Sequence, residues 1–95
     1  MNRLETRARR LPDNPGVYLM KNVQGEVLYV GKAASLKKRL GSYLQSSRGI
    51  PPNTKKLLEE AQELETVLTD SEAEALILEN NLIKEYKPKY NVTHK

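Results

Sequence analysis

Two short apolar runs joined by a polar link constrain the fold of this chain more than any other feature. Residues 17–20 read Val-Tyr-Leu-Met and residues 27–30 read Val-Leu-Tyr-Val, with Gln24-Gly25 at the centre of the link. Runs of this length between turn-forming residues are typical of paired strands, so the sequence predicts a β-hairpin. If two residues close the hairpin, Tyr18 and Tyr29 lie on one face as near cross-strand neighbours, whereas an extra bulge residue separates them.

The remaining sequence predicts helices and a third strand. Ser71 and Glu74 form the Ser-x-x-Glu pattern of a helix N-cap, which predicts a helix from residue 71 to about residue 86, ended by Pro88. Further patterns predict a helix over residues 31–44, short helices over 3–10 and 55–62, a loop over 46–53 and a strand over 64–68. The 95 residues therefore suit one small α/β or α+β domain.

Composition excludes several kinds of catalytic site. The chain has no cysteine, and its single histidine is His94. Thiolate chemistry, Ser-His triads and zinc sites built from Cys or His are excluded, so catalysis must use Tyr, Lys, Arg, Asp, Glu or hydroxyl groups. No apolar run approaches the roughly 20 residues of a membrane helix, and the first residues lack a signal-peptide core. These features predict a cytoplasmic protein without a membrane span.

Charge is divided unevenly along the chain. Residues 1–56 hold 12 Lys and Arg against 3 Asp and Glu, a net charge of +9. Residues 57–95 hold 4 Lys against 9 Asp and Glu, a net charge of −5. A basic half favours a surface that faces a polyanion, although solvated helix faces explain the charges equally well.

A carboxylate falls on the apolar face of the predicted C-terminal helix. At about 100° per residue, Glu79 lies within a stripe made by Ala75, Leu76, Leu82, Ile83 and Tyr86, with Leu78 at its edge. Arg39 shares the predicted inward stripe of its own helix with Leu36, Leu40 and Tyr43. A buried carboxylate needs a cation, a metal or a proton. Two interpretations remain open: a structural ion pair between Glu79 and Arg39, or a site in which Glu79 binds a metal and Arg39 binds phosphate.

A split motif resembles the GIY-YIG nuclease signature, with Val in place of Ile: Gly16-Val17-Tyr18 and, after ten residues, Tyr29-Val30-Gly31. Residues 28–43, 74–84 and 88–92 are similar to the next helix, the closing helix and the tail of the N-terminal domain of the bacterial excinuclease subunit UvrC. The resemblance covers residues 11–93. It implies a small three-stranded antiparallel sheet flanked by helices, and it implies that residues 1–95 are one GIY-YIG nuclease domain of a longer protein.

The same resemblance implies a function. It is that of a Mg²⁺- or Mn²⁺-dependent DNA endonuclease that makes the 3′ incision of nucleotide excision repair. Its partners are double-stranded DNA and, through the full-length protein, the UvrB–DNA complex. The implied catalytic residues are Tyr18, Tyr29, Lys32, Arg39, Tyr43 and Glu79, with Glu79 as the metal ligand. The predicted DNA contacts are Lys32, Lys37, Lys38, Arg39 and Asn91.

A mechanism without histidine needs another base. We expect Tyr29 to take the proton of the attacking water, with Tyr18 positioning it and as the alternative base. An unperturbed tyrosine has a pKa of about 10, so the prediction requires Lys32 and the metal to acidify the phenol. Arg39 then neutralises charge on the phosphate, and the metal held by Glu79 stabilises the leaving oxygen.

Two other functions remain as alternatives. A non-catalytic DNA-binding or docking module needs only basic side chains such as Lys37 and Lys38, and it binds with salt-dependent affinity. Another GIY-YIG nuclease, of the homing type or a stand-alone repair enzyme, has the same site. A homing nuclease also needs a separate domain that reads the DNA sequence.

Overall fold

A computed structural model describes residues 10–45 and 52–91, and it describes the side chains of residues 10–41 and 55–91. Within these ranges the elements follow in the order β1 (Gly16–Lys21), β2 (Val27–Ala33), α1 (Leu36–Gln45), α2 (Pro52–Glu60), β3 (Glu63–Leu68) and α3 (Glu72–Tyr86). The strands form one antiparallel sheet in the order β2-β1-β3, so β2 and β3 are its edges. The predicted α+β fold with a three-stranded sheet is confirmed.

The hairpin of β1 and β2 brings the two motif tyrosines together. Tyr18 lies opposite Gly31 and Met20 lies opposite Tyr29. This register places both rings on one face as diagonal neighbours, with centroids 6.0 Å apart. A bulge at Leu28 lies beyond Tyr29, towards the turn, and does not separate the rings. The tyrosines are therefore neighbours on one face, as expected for a two-residue closure, although a bulge is present.

The hairpin turn is longer than a two-residue closure. The Asn22 side chain accepts the backbone N–H groups of Gln24 and Glu26, each at 2.9 Å. Gly25 has a φ of 86°, a left-handed conformation that a residue without Cβ adopts without strain. An asparagine that bonds its own turn, followed by a left-handed glycine, stabilises this loop over residues 22–26.

Apolar side chains cover both faces of the sheet. Under α1 and α2 lies a buried cluster made by Leu11, Tyr18, Met20, Leu28, Ala33, Leu36, Leu40, Leu57, Ala61 and Leu64. On the opposite face, α3 covers a second cluster made by Val17, Leu19, Val30 and Ala75, with Val27, Leu78, Leu82 and Ile83 packed against it. Alternate residues of the strands serve alternate faces, so the sheet is the middle of three layers.

Element boundaries differ from the predictions in several places. Residues 31–33 extend β2 instead of starting a helix, because they pair with the first residues of β1. Helix α2 begins at Pro52, inside the predicted loop, since proline suits the first helical position, where an N–H has no partner in any case. Residues 46–51 of that loop, and nearly all of the helix predicted over 3–10, lie outside the described residues. No helix in the described ranges has both the length and the apolar character required to cross a membrane.

Helix α3 begins at the predicted cap. Ser71 Oγ accepts the Glu74 N–H at 3.2 Å, while the Glu74 carboxylate accepts the N–H of Asp70 at 2.8 Å, one residue before the expected partner. The stripe prediction was wrong for Leu76 and Tyr86, which are 44% and 47% exposed. Because α3 contacts a single sheet, its buried face narrows to positions three and four residues apart. These positions are Ala75, Leu78, Glu79, Leu82 and Ile83.

Candidate active site

The two motif tyrosines meet over a glycine. Tyr18 is fully buried and Tyr29 is half-buried, and their rings are tilted by 39°. A Cβ added at Gly31 would lie 2.6 Å from both Cζ and Oη of Tyr18, and 2.9 Å from Cε2 of Tyr29. A side chain at this position would force Tyr18 and Tyr29 to move. The bare backbone of Gly31 therefore lets the hydroxyl end of Tyr18 rest on β2.

The glycine of the first half-motif has a similar role. A Cβ at Gly16 would lie 2.4 Å from the carbonyl oxygen of Val67 and 2.9 Å from Cδ1 of Leu36. Gly16 thus allows β3 and α1 to approach the start of β1 closely. Both motif glycines are explained by packing around the site.

Glu79 reaches the edge of β2 from α3. Its side chain is half-buried, and Oε2 accepts the backbone N–H of Lys32 at 3.2 Å. Lys32 directly follows Gly31, so the carboxylate and the two tyrosine rings approach neighbouring residues of β2, the carboxylate from the α3 side and the rings from the other face. A carboxylate can accept about four hydrogen bonds or ligands, so one amide leaves capacity for a cation. The predicted position of Glu79 on the buried face is confirmed, and the ion-pair interpretation stays a prediction.

Arg39 is exposed, contrary to the predicted inward position. Helix α1 packs through Leu36 and Leu40, both fully buried and four residues apart. This narrow contact leaves Arg39 on the flank of the helix, on the side of the sheet that carries Tyr29. An exposed guanidinium is well placed to meet a phosphate from solvent.

The structure places three other predicted site residues, Lys32, Lys37 and Lys38, and it describes only the backbone of Tyr43. Lys32 pairs with Val17, so it lies on the α3 face of the sheet, opposite the face of Tyr29. The strand register therefore does not bring Lys32 and Tyr29 together. Tyr43 lies in α1, and its side chain is outside the described ones. The predicted DNA contacts Lys37 and Lys38 are both exposed on α1.

Asn91 closes the free edge of β2, a role that the sequence did not indicate. Its Nδ2 donates to the carbonyl oxygen of Val30 at 2.9 Å, and its Oδ1 accepts the Val30 N–H at 2.7 Å. Val30 is the central residue of the second half-motif. The contact joins residues 61 positions apart, and no local pattern marks such a pairing. A DNA contact by Asn91 stays a prediction.

Any metal at this site would depend on few protein ligands. Within residues 10–45 and 52–91, no group of three or more His, Cys, Asp or Glu side chains could hold a metal ion. Mg²⁺ usually keeps several waters and binds proteins through one or two carboxylates. Glu79 alone is therefore an adequate donor for Mg²⁺, and a poor one for metals that require a full protein cage.

Several known proteins are similar to this chain over nearly its whole length. Residues 14–92 match the UvrC-like GIY-YIG domain family. UvrABC system protein C of Carboxydothermus hydrogenoformans is 51% identical over 86 residues, which are 90% of this chain and 14% of that protein. The Clostridium botulinum protein of the same name is 54% identical over 89 residues, which are 94% of this chain and 14% of that protein. The chain thus spans 14% of the length of these relatives.

The GIY-YIG N-terminal endonuclease domain of UvrC from Thermotoga maritima, bound to its catalytic divalent cation magnesium, has the same fold. Its TM-score is 0.86 at 45% identity, covering 97% of this chain and 100% of that chain. Two point mutants of that domain, Tyr to Phe and Asn to Ala, are also bound to the catalytic divalent cation. Their TM-scores are 0.86 and 0.85 at 44% and 43% identity, covering 97% and 95% of this chain and 100% and 96% of theirs. With a family match over residues 14–92 and the same fold at 45% identity, the chain belongs to the UvrC-like GIY-YIG domain family.

Proposed function

We propose that this chain is a Mg²⁺-dependent endonuclease domain that hydrolyses a DNA strand. As part of a longer protein, it makes the 3′ incision of nucleotide excision repair on a UvrB–DNA complex. The observation that carries the proposal is the approach of Glu79, Tyr18 and Tyr29 to the neighbouring residues Gly31 and Lys32 of β2. The magnesium of the Thermotoga maritima domain supports the cation, and the name UvrABC system protein C supports the repair setting.

Glu79 is the residue that would hold the cation. Its half-buried carboxylate keeps acceptor capacity beside the Lys32 amide. In the Thermotoga maritima domain, the cation is present in a Tyr-to-Phe and an Asn-to-Ala mutant, which supports a carboxylate ligand over a phenol or a carboxamide. A bound Mg²⁺ supplies Lewis-acid stabilisation of the leaving oxygen.

Tyr29 accepts the proton of the attacking water. A general base must come within hydrogen-bond distance of that water, and of the two motif rings Tyr29 is the one that is partly open to solvent. Tyr18 is fully buried against Gly31 and holds the Tyr29 ring in place. The two tyrosines therefore have different roles: the phenol of Tyr29 exchanges protons, and Tyr18 fixes the orientation of the Tyr29 ring.

Helix α1 supplies the contacts to the DNA backbone. Lys37, Lys38 and Arg39 are consecutive, exposed and on the helix that covers the face of Tyr29. Arg39 binds the scissile phosphate, because its guanidinium can donate two parallel hydrogen bonds to two phosphate oxygens. The two lysines bind neighbouring phosphates, so affinity falls steeply with salt and depends little on base sequence.

Metal-dependent nicking of supercoiled plasmid tests this function. We expect the wild-type domain to nick in Mg²⁺ or Mn²⁺, and both Glu79→Gln and Tyr29→Phe to lose about 100-fold or more in rate. Glu79→Gln retains an oxygen that can accept the Lys32 N–H and removes the charge that binds a cation. Glu85→Gln, on the exposed face of the same helix, is the matched control and should nick normally.

Two results would contradict the proposal. Equal nicking by the wild type and Glu79→Gln would remove Glu79 as the metal ligand. Retardation of DNA by a wild-type protein that never nicks would instead favour the non-catalytic DNA-binding module. Calorimetric titration with Mg²⁺ separates the two roles, since Tyr29→Phe should bind the ion and Glu79→Gln should not.

A further inference from the structure

A short tail segment lies along the open edge of β2. We call residues 88–91 the tail strap. Pro88 is buried, the N–H of Tyr90 donates to the carbonyl oxygen of Leu28 at 2.9 Å, and Asn91 pairs with both backbone groups of Val30. The strap therefore binds the strand that carries Tyr29 on both sides of that residue.

The strap is also tied to helix α2 through one carboxylate. Glu60 is the last residue of α2, and its Oε2 accepts the Tyr90 hydroxyl at 2.7 Å. Lys89 Nζ lies 3.2 Å from Oε2 and 3.4 Å from Oε1 of Glu60, and 5.2 Å from the centre of the Tyr90 ring. A single side chain thus receives donors from two consecutive residues of the strap.

Each partner of this contact is also anchored by apolar side chains of its own. Leu57 and Ala61 bury the end of α2 in the core, and Pro88 buries the start of the strap. The Glu60 side chain is 42% exposed, so it adds little to the burial of apolar surface. What the contact fixes is the position of the strap relative to the end of α2.

We propose that Glu60 is a positioning residue for the active site. Its carboxylate holds the tail strap in register, so that Asn91 stays on Val30 and the edge of β2 keeps Tyr29 and Gly31 in their observed places. The inference rests on the proposed nuclease function, because it assigns Glu60 an effect on that reaction.

Hydrogen exchange at the Val30 amide measures the position of the strap directly, because that N–H is bound to Asn91. We expect Glu60→Ala to accelerate its exchange about fivefold, the effect of losing one net hydrogen bond on local opening. Glu65→Ala is the matched control. It removes an exposed carboxylate that pairs with Lys21 across β1 and β3, and it should leave Val30 unchanged.

Nicking kinetics then connect the strap to the reaction. We expect kcat of Glu60→Ala to fall about fivefold with KM for DNA unchanged, because a strap out of register displaces Tyr29 even in the folded protein. Tyr90→Phe should show part of the effect, and combining it with Glu60→Ala should add nothing, since both act through one contact.

The outcomes separate this inference from the function on which it rests. Unchanged exchange of the Val30 amide in Glu60→Ala would show that Glu60 does not hold the tail strap in register. Faster exchange with unchanged kcat overturns the positioning role and leaves the nuclease function intact. A wild-type protein without nicking activity overturns the nuclease function and the positioning role together.

Discussion

Replacing Gly31 by alanine tests whether the tyrosine pair needs a bare backbone beneath it. The added Cβ would lie 2.6 Å from Oη of Tyr18, so the atoms must separate by nearly 1 Å to reach ordinary contact at 3.4 Å. Tyr29 is half-buried and can shift, but Tyr18 is fully buried and has no space into which to move. Forcing a methyl group into such a core costs about 1–3 kcal/mol, and we expect about 2–3 kcal/mol here.

Thermal unfolding and plasmid nicking measure the two consequences. For a domain of this size, about 2–3 kcal/mol lowers Tm by about 10–20 °C. A reactive group displaced by about 1 Å should slow nicking by about 100-fold at temperatures where the variant is folded.

Gly41→Ala is the matched control, and it should raise the stability of the domain instead of lowering it. Gly41 is inside α1, and no heavy atom of the described residues lies within 4 Å of its added Cβ. Removing a helical glycine should therefore raise Tm by about 4–8 °C, corresponding to about 1 kcal/mol. A Gly31→Ala variant with wild-type Tm and normal nicking would refute the packing explanation.

Three further changes are expected to have smaller effects. Ser71→Ala removes the cap of α3 and should cost about 1 kcal/mol in urea unfolding; an unchanged midpoint would show that the cap contributes nothing. Asn91→Leu leaves both backbone groups of Val30 without their partner and should lower the free energy of unfolding by about 1–3 kcal/mol. Slow hydrogen exchange at the Val30 amide in this variant would contradict the prediction. Tyr90 donates to Glu60 and holds the pKa of that carboxyl below its ordinary value of 4.5, helped by the neighbouring lysine. The stabilisation is thus present above pH 4.5 and is lost as pH falls through the lowered pKa, so Glu60→Gln should flatten the acid side of the Tm profile; parallel profiles would contradict this.

Features that depend on neighbouring residues could be predicted from the sequence. The Ser71 cap and the hairpin are set within a few positions of the chain, and both are confirmed. Glu79 was noticeable because helical periodicity alone places it among apolar residues. Helical periodicity did not predict how wide a face the sheet covers, and for this reason Arg39 and Leu76 are exposed rather than buried.

Features that depend on distant contacts could not be predicted. The pairing of Asn91 with Val30 exists only once α3 has folded back over the sheet. The side chain of Lys32 follows the strand register to the α3 face, although its position in the chain suggests a place beside Tyr29. Glycine is required at positions 16 and 31 because of contacts with β3, α1 and Tyr18, which no local pattern indicates.

The separation between the hairpin and the residues that complete it has a consequence for synthesis of the protein. A growing chain contains both motif tyrosines early, but the carboxylate arrives with residue 79 and the clamp on the strand edge with residue 91. Chains are synthesised from the N-terminus, so the sequence of the hairpin is complete before Glu79 has been added. Under the proposed role of Glu79, a product that stops before α3 lacks the ligand for the cation. Such a fragment is expected to leave DNA uncut.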